Sequence, residues 1–322
     1  MTEDNVPGHV DTTEDQEITA RFSRDELVRG WAEREARAPR VVPSVRIGAK
    51  TDLGRVRENN EDKFEFYEPY DPSLLATRGN LYVVADGMGG AAAGQIASEL
   101  ALKNFIAAYY DNATDDVPVA LRKAIASAND YVFNVARMIH ERSGMGTTIT
   151  ALALVEDRAY VAQVGDSRAY LVREGQIRQV SQDHSWVAEQ VRMGGLTAEE
   201  AELSPYRNII TRAIGTQEAV EPDIYTEDVR VGDTWVLCTD GLTGHVEDAE
   251  ILRIADGQAP SEAARQLVEL ANGRGGRDNI TVLVVSICGL VPGEGGAEPT
   301  NDSEDARATA PNRRGIWRVL GG

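Results

Sequence analysis

The chain has 322 residues, 42% of them hydrophobic, which suffices for one large core or two modest ones. Its 33 Lys and Arg stand against 52 Asp and Glu, and the formal charge of −19 repels phosphate backbones and anionic lipid heads, which argues against nucleic acid or a membrane surface as a main partner. The longest apolar run, near Ile280 to Val291, is too short and too interrupted to span a bilayer, so a cytoplasmic protein without membrane insertion is expected.

Residues 1–43 hold few large apolar side chains, and the first 17 carry six acids and no Lys or Arg, which reads as a disordered acidic tail. It has no basic region followed by an apolar one, so no signal peptide is expected. Ser23-Arg24-Asp25-Glu26 fits a capping box, and Leu27, Val28 and Trp31 give one face to a short helix through Arg37. That helix is either a marginal surface element or a docking segment for a partner.

A folded domain is expected over 44–288. Val45 to Ala49 and Lys63 to Tyr67 read as strands, joined by a polar stretch from Thr51 to Asp62 that carries four acids and two arginines. Taken alone, that stretch is a solvated loop. The apolar run Leu81 to Ala85 reads as a strand covered on both faces. Ala91 to about Tyr110 reads as a helix with Leu102, Phe105, Ile106 and Tyr109 as its stripe. The next helix is marked by Leu121, Ile125, Ala128, Val132, Val135 and Ile139, a seam too short for an independent coiled coil. Strands follow at Thr147 to Val155, Arg158 to Val164 and Ala169 to Arg173, and their short connections imply antiparallel neighbours.

The segment 183–215 is polar and irregular, with short helices expected near Trp186 to Arg192 and Ala198 to Glu202, and reads as an insertion beside a site. Strands resume at Thr234 to Cys238 and Ile280 to Ile287, with a helix between them through Ala264, Leu267, Val268 and Ala271. Cys238 and Cys288 lie in these apolar runs without paired spacing and read as reduced core thiols. Residues 289–322, rich in Gly, Pro and charge, read as a second tail. These elements add up to an α+β domain whose strands pair with their sequence neighbours.

Several apolar runs stop abruptly on an acid. Leu81 to Ala85 ends at Asp86-Gly87-Met88-Gly89-Gly90, Trp235 to Thr239 at Asp240-Gly241, and Ala159 to Val164 at Gly165-Asp166-Ser167-Arg168, while Arg277-Asp278-Asn279 precedes the run from Ile280. A lone Asp-Gly is an ordinary turn signal. Four acids delivered by four strand ends are poorly explained by turns alone. Carboxylates, a backbone carbonyl at Gly87 and water are hard oxygen ligands that suit Mg²⁺ or Mn²⁺ better than zinc. The chain has no His-Glu-x-x-His, no Cys-x-x-Cys, no phosphate loop ending in Lys-Ser/Thr and no Gly-x-Ser-x-Gly elbow. Arg57, just before Glu61 and Asp62, is the candidate for holding a phosphate, because guanidinium matches its geometry bidentately.

The ordered motifs Arg57-Glu58-Asn59-Asn60-Glu61-Asp62, Asp86-Gly87-Met88-Gly89-Gly90, Gly146-Thr147-Thr148, Gly165-Asp166-Ser167-Arg168, Thr239-Asp240-Gly241-Leu242 and Arg277-Asp278-Asn279-Ile280-Thr281 resemble those of the metal-dependent type 2C protein phosphatases, most of all the bacterial branch. The resemblance implies a four-layer α-β-β-α sandwich of two mainly antiparallel sheets with a flap over about 183–215. It also implies two Mn²⁺ or Mg²⁺ ions at one end of the sandwich, and allows a third, weaker one. Asp86 would bridge both ions, with Gly87, Asp240 and Asp278 completing one shell. Asp62 would act on the other through water, supported by Glu61, with Asn279 supporting the shell as well. Asp166, with Asp240, matches the position of the third ion, and Arg57 would bind substrate phosphate. Where many eukaryotic members carry a histidine as proposed general acid, this chain has Met88. His184, near the flap, is either a proton donor or a structural hydrogen-bonding histidine.

The leading expectation is hydrolysis of phosphoserine and phosphothreonine by in-line attack of a hydroxide bridging the two ions, with phosphorylated proteins as partners, among them targets of a serine/threonine kinase and the kinase itself. A binding protein on the same scaffold and a phosphatase of small esters are the rival readings. Thr12 and Thr13, beside Glu14 and Asp15, are candidate kinase sites in the first tail.

Overall fold

Every side chain from Leu81 to Ala85 is fully buried, and the two-residue period of a strand sends them alternately into two different cores. Leu81, Val83 and Ala85 join a core made with two long helices. Tyr82 and Val84 join a second core shared with Trp235, Leu237, Leu283 and Val285. The computed structural model describes residues 38–90, 92–111, 116–139, 144–293 and 295. The expectations for the first tail, its helix, Thr12, Thr13 and the far end of the second tail lie outside the described residues.

The strands in chain order are β1 Val41–Asp52, β2 Lys63–Tyr67, β3 Asn80–Ala85, β4 Gly87–Met88, β5 Gly146–Thr147, β6 Ile149–Val155, β7 Arg158–Val164, β8 Arg168–Arg173, β9 Gln176–Gln179, β10 Asp223–Asp228, β11 Thr234–Cys238 and β12 Ile280–Pro292. The helices are α1 Pro72–Thr77, α2 Ala92–Asp111, α3 Val117–Met138, α4 Trp186–Arg192, α5 Ala198–Leu203, α6 Asp240–Thr243, α7 Asp248–Ala255 and α8 Pro260–Gly273. One five-stranded sheet runs β1-β12-β11-β8-β9 and the other β10-β7-β6-β3-β2, with β4 and β5 as a separate pair. Every pairing is antiparallel.

Three cores separate four layers. Helices α2 and α3 cover one sheet, the two sheets meet face to face, and α7 with α8 covers the other through Val236, Cys238, Val282 and Val284. The expected sandwich is present. In α3 the seam residues Leu121, Ile125, Ala128 and Val132 are fully buried, whereas Ile139 leaves the helix as its extended C-cap.

Two features differ from the sequence reading. Val41 to Ser44 pair with Pro292 back to Gly289, so the strands that join the two ends of the domain run past both expected boundaries. A bulge between Ser44 and Val45 leaves Cys288 outside the register. Cys238 is buried as expected but Cys288 is exposed, which corrects its reading as a core thiol. An extra residue at a bulge has no opposite partner, so no neighbour in the facing strand covers it.

Candidate active site

Antiparallel register brings the acids to one end of each sheet. Lys63 lies opposite Ala85, so Asp62 before β2 and Asp86 after β3 are neighbours. Cys238 lies opposite both Val282 and Arg168, which sets Asp240, Asp278 and Asp166 around the end of β11. The two groups meet, because Thr239 Oγ1 donates to Asp62 Oδ2 at 2.8 Å across the sandwich. The Thr281 N–H in turn donates to Thr239 Oγ1 at 3.0 Å.

Backbone contacts fix each strand end. The Asp86 N–H donates to Thr148 Oγ1 and its carbonyl accepts from the Thr148 N–H and from Thr147 Oγ1. This use of Thr148 is why the expected strand from Thr147 to Val155 breaks into β5 and β6. Glu61 and Asp62 are buried to 8% and 2% exposure on a loop that cannot pack by apolar contact. Asn279 holds that loop instead. Its Nδ2 donates to the carbonyls of Leu53 and Asn59, and its Oδ1 accepts from the Glu61 N–H. Both ends of the Asn279 amide are therefore spent on backbone, and its support reaches the site through the loop. At Gly87 a Cβ would stand 2.2 Å from the Gly94 carbonyl oxygen and 2.6 Å from that of Glu61, so only glycine lets α2 approach this closely.

Gathered carboxylates resist ionisation. Burial, then the charges of Asp62, Asp240, Asp166 and Asp278, holds Asp86 well above the usual carboxylate range. Burial pushes Asp62 up to about 7 and Asp166 up to about 8. Asp240 is raised by burial and by the charge of Asp278. Glu61 is raised by burial against the pull of Arg57.

Arg57 Nη2 donates to Asp278 Oδ2 at 2.6 Å in a half-exposed ion pair. Among the described residues no set of three or more His, Cys, Asp or Glu side chains could hold a metal ion as it stands. The Arg57–Asp278 pair occupies an oxygen that such a set would need. Three buried carboxylate oxygens, Oδ1 of Asp62, Asp166 and Asp240, nevertheless have no hydrogen-bond partner. A buried polar atom without a partner is costly, and hard carboxylate oxygens are the donor type that suits a divalent cation such as Mn²⁺ or Mg²⁺.

The family model for protein phosphatase 2C matches residues 49–280. The chain belongs to the protein phosphatase 2C family. As a member it is a metal-dependent serine/threonine protein phosphatase of the bacterial kind. It is 37% identical over 241 residues to the serine/threonine phosphatase stp of Listeria innocua, covering 73% of this chain and 93% of that one. Stp1 of Staphylococcus aureus superposes with a TM-score of 0.71 at 32% identity, over 77% of this chain and 97% of that one. The catalytic domain of the phosphatase PstP, solved with two manganese ions, superposes at 0.66 with 35% identity, over 77% of this chain and all of that one.

In this phosphatase the flap takes the expected form. Ser185 caps α4 through the Ala188 N–H, and Thr197 with Glu200 forms a capping box on α5. His184 is fully buried, with Nδ1 accepting from the Gly165 N–H at 3.2 Å and Nε2 3.1 Å from Asp223 Oδ2. Both ring nitrogens are engaged, which is the structural alternative for this residue. Met88, in β4 opposite Gly146, offers no proton. The sequence reading missed Asp223, which lies in a polar edge strand with no motif around it, and did not single out Thr239 as the partner of Asp62.

Proposed function

We propose that this chain hydrolyses phosphoserine and phosphothreonine in proteins at the acid cluster, with Asp86, Gly87, Asp240 and Asp278 holding one Mn²⁺ or Mg²⁺ ion and Asp86, Asp62 and Glu61 serving a second. The observation that carries this reading is the set of unpartnered buried oxygens on Asp62, Asp166 and Asp240 beside Asp86. Two bound ions would supply a water activated to hydroxide near neutral pH for in-line attack on phosphorus without a phosphoenzyme. Asp166 with Asp240 is the candidate pair for a third, weaker ion.

Arg57 is the group that meets substrate phosphate. Its ion pair with Asp278 is half-exposed and therefore weak, so the guanidinium can exchange that carboxylate for a phosphate. With Arg57 turned to an ester, Asp278 Oδ2 would be available to help hold an ion. Met88 carries no proton and both nitrogens of His184 are engaged, so neither serves the leaving alkoxide, and water is the candidate donor. Protein substrates made by a serine/threonine kinase, and the kinase itself, fit a site whose phosphate-binding candidate Arg57 is half-exposed, and action in the cytoplasm fits such partners.

The test is a comparison of a phosphothreonine peptide with a small aryl phosphate, for wild type and Arg57→Ala. The expected result is turnover of both by wild type in Mn²⁺ and a rise in KM in the variant with a smaller change in kcat. Turnover of the aryl ester alone would move the substrate class to small phosphoesters.

A further inference from the structure

Each root of the flap is fastened to backbone that carries an acid. At the N-terminal root the His184 N–H donates to the Gly165 carbonyl at 2.8 Å, and His184 Nδ1 accepts from the Gly165 N–H. Gly165 has φ of +106°, a conformation that keeps this turn glycine, and Asp166 follows it directly. Arg168 grips Asp183 through Nε and Nη2 at 2.8–3.0 Å. At the C-terminal root Ile214 and Thr147 exchange backbone hydrogen bonds at 2.8 and 3.1 Å, and Thr147 Oγ1 donates to the Asp86 carbonyl. The roots are also zipped together, with the Thr211 N–H donating to the His184 carbonyl and the Trp186 N–H to the Ile209 carbonyl.

One side chain outside the flap touches both roots. On β10, Asp223 Oδ2 faces His184 Nε2, and Asp223 Oδ1 accepts from Arg212 Nη1 at 3.0 Å. Tyr225 Oη lies 3.4 Å from Oδ2, and Arg212 Nη1 also reaches the Glu221 carbonyl. Because His184 Nδ1 accepts from Gly165, Nε2 carries the ring proton and donates it to Asp223. Without that carboxylate a buried N–H loses its acceptor, and the ring that clamps Gly165 loses what orients it.

We propose that Asp223 is a positioning residue of the phosphatase reaction: by holding His184 and Arg212 together it fixes both flap roots and, through the His184–Gly165 clamp, the turn that aims Asp166 at the acid cluster. The functional half rests on the proposed role of Asp166 in metal binding. A surface ion pair with Arg212 alone would contribute little. The chain of contacts through a fully buried histidine gives Asp223 its reach.

The experiment is residue-level hydrogen exchange on the full chain, wild type against Asp223→Ala and Asp223→Asn, combined with Mn²⁺ titration by calorimetry and by phosphate release. In Asp223→Ala the amides of Gly165, His184 and Thr211 should exchange about fivefold faster or more, with Val236 and Val284 in the other sheet unchanged. By calorimetry the weakest Mn²⁺ site should lose about tenfold or more in affinity, with KM for the phosphopeptide within about twofold. Asp223→Asn keeps one acceptor oxygen and should recover most of both effects. Unchanged exchange at Gly165, equally faster exchange in both sheets, or an altered KM with unaltered Mn²⁺ dependence would each overturn the proposal. If wild type binds Mn²⁺ but releases no phosphate, the phosphatase reading falls, while exchange at Gly165 and calorimetry still decide the role of Asp223.

Discussion

Asp86 and Thr148 are bound to each other in both directions, the Asp86 N–H to Thr148 Oγ1 at 2.8 Å and the Thr148 N–H to the Asp86 carbonyl at 2.9 Å. The carboxylate at the centre of the acid cluster is thus aimed by a strand end whose backbone N–H and carbonyl at Asp86 are both engaged. Thr148 Oγ1 also lies 2.8 Å from Ser167 Oγ, beside Asp166. Thr148→Val keeps the shape and removes the hydroxyl, leaving the Asp86 N–H without its acceptor. The expected loss is about 1–3 kcal/mol of stability, with kcat reduced more than KM. Denaturant titration with steady-state kinetics on the same preparation checks it, and an unchanged kcat would mean that Asp86 is aimed by other contacts.

Metal removal and pH are linked through the raised carboxylates. Asp62 at about 7 and Asp166 at about 8 lie above the usual unfolded value of about 3.9. In metal-free protein these groups favour the fold below the unfolded value, and that contribution is lost as pH rises through 7 and 8. Divalent ions bind the ionised form and offset the loss, so stabilisation by Mn²⁺ should grow from pH 6 to pH 8. At about 100 times its dissociation constant one ion contributes about 2.7 kcal/mol. Melting curves at three pH values, with Mn²⁺ and with chelator, read this directly. A Mn²⁺ shift independent of pH would contradict the raised carboxylates.

His184 titrates in the opposite sense. Burial lowers it from the ordinary histidine value, against the pull of Asp223. A histidine lowered in the folded state stabilises above the unfolded value and loses that contribution as pH falls through the folded one. Its two fixed partners also leave no proton for the leaving group. His184→Gln should therefore lower stability near neutral pH while the shape of the pH–rate profile stays the same. Loss of one limb of that profile in the variant would make His184 the general acid.

A methyl group at Gly87 tests the close approach of α2 to the site. Its Cβ would meet backbone oxygens of Gly94 and Glu61 that cannot rotate away. Gly87→Ala should cost roughly 1–3 kcal/mol or more by overpacking, and should abolish most activity by displacing Glu61. Retained activity with a normal melting temperature would show that the contact has slack.

Much of this was legible in the sequence because the informative residues are local. The near-continuous apolar runs Leu81 to Ala85 and Ile280 to Ile287, and the helical seam from Leu121, mark elements whose burial the structure bears out. The short helices of the flap were expected near Trp186 to Arg192 and Ala198 to Glu202, and the structure starts them at the caps Ser185 and Thr197. Strands β9 and β10 were not, since Gln176 to Gln179 and Asp223 to Asp228 are polar edge segments that pair on one side only. The extension of β1 to Val41 depends on pairing with residues near the other end of the domain, which no local pattern encodes. The acids at strand ends were readable one by one. The hydroxyls that aim them, Thr148 and Thr239, and the carboxylate that joins both flap roots, Asp223, become visible only once register sets distant segments side by side.

The central claim is that the acid cluster performs metal-dependent hydrolysis of a phosphoprotein ester. Its most direct measurement is phosphate release from a phosphothreonine peptide by the purified chain in Mn²⁺, in Mg²⁺ and in excess chelator, alongside Asp240→Asn. The account predicts release in either metal, none in chelator, and a loss of about 100-fold or more in a folded Asp240→Asn variant. Release that survives chelation, or near-wild-type turnover by Asp240→Asn, would contradict it.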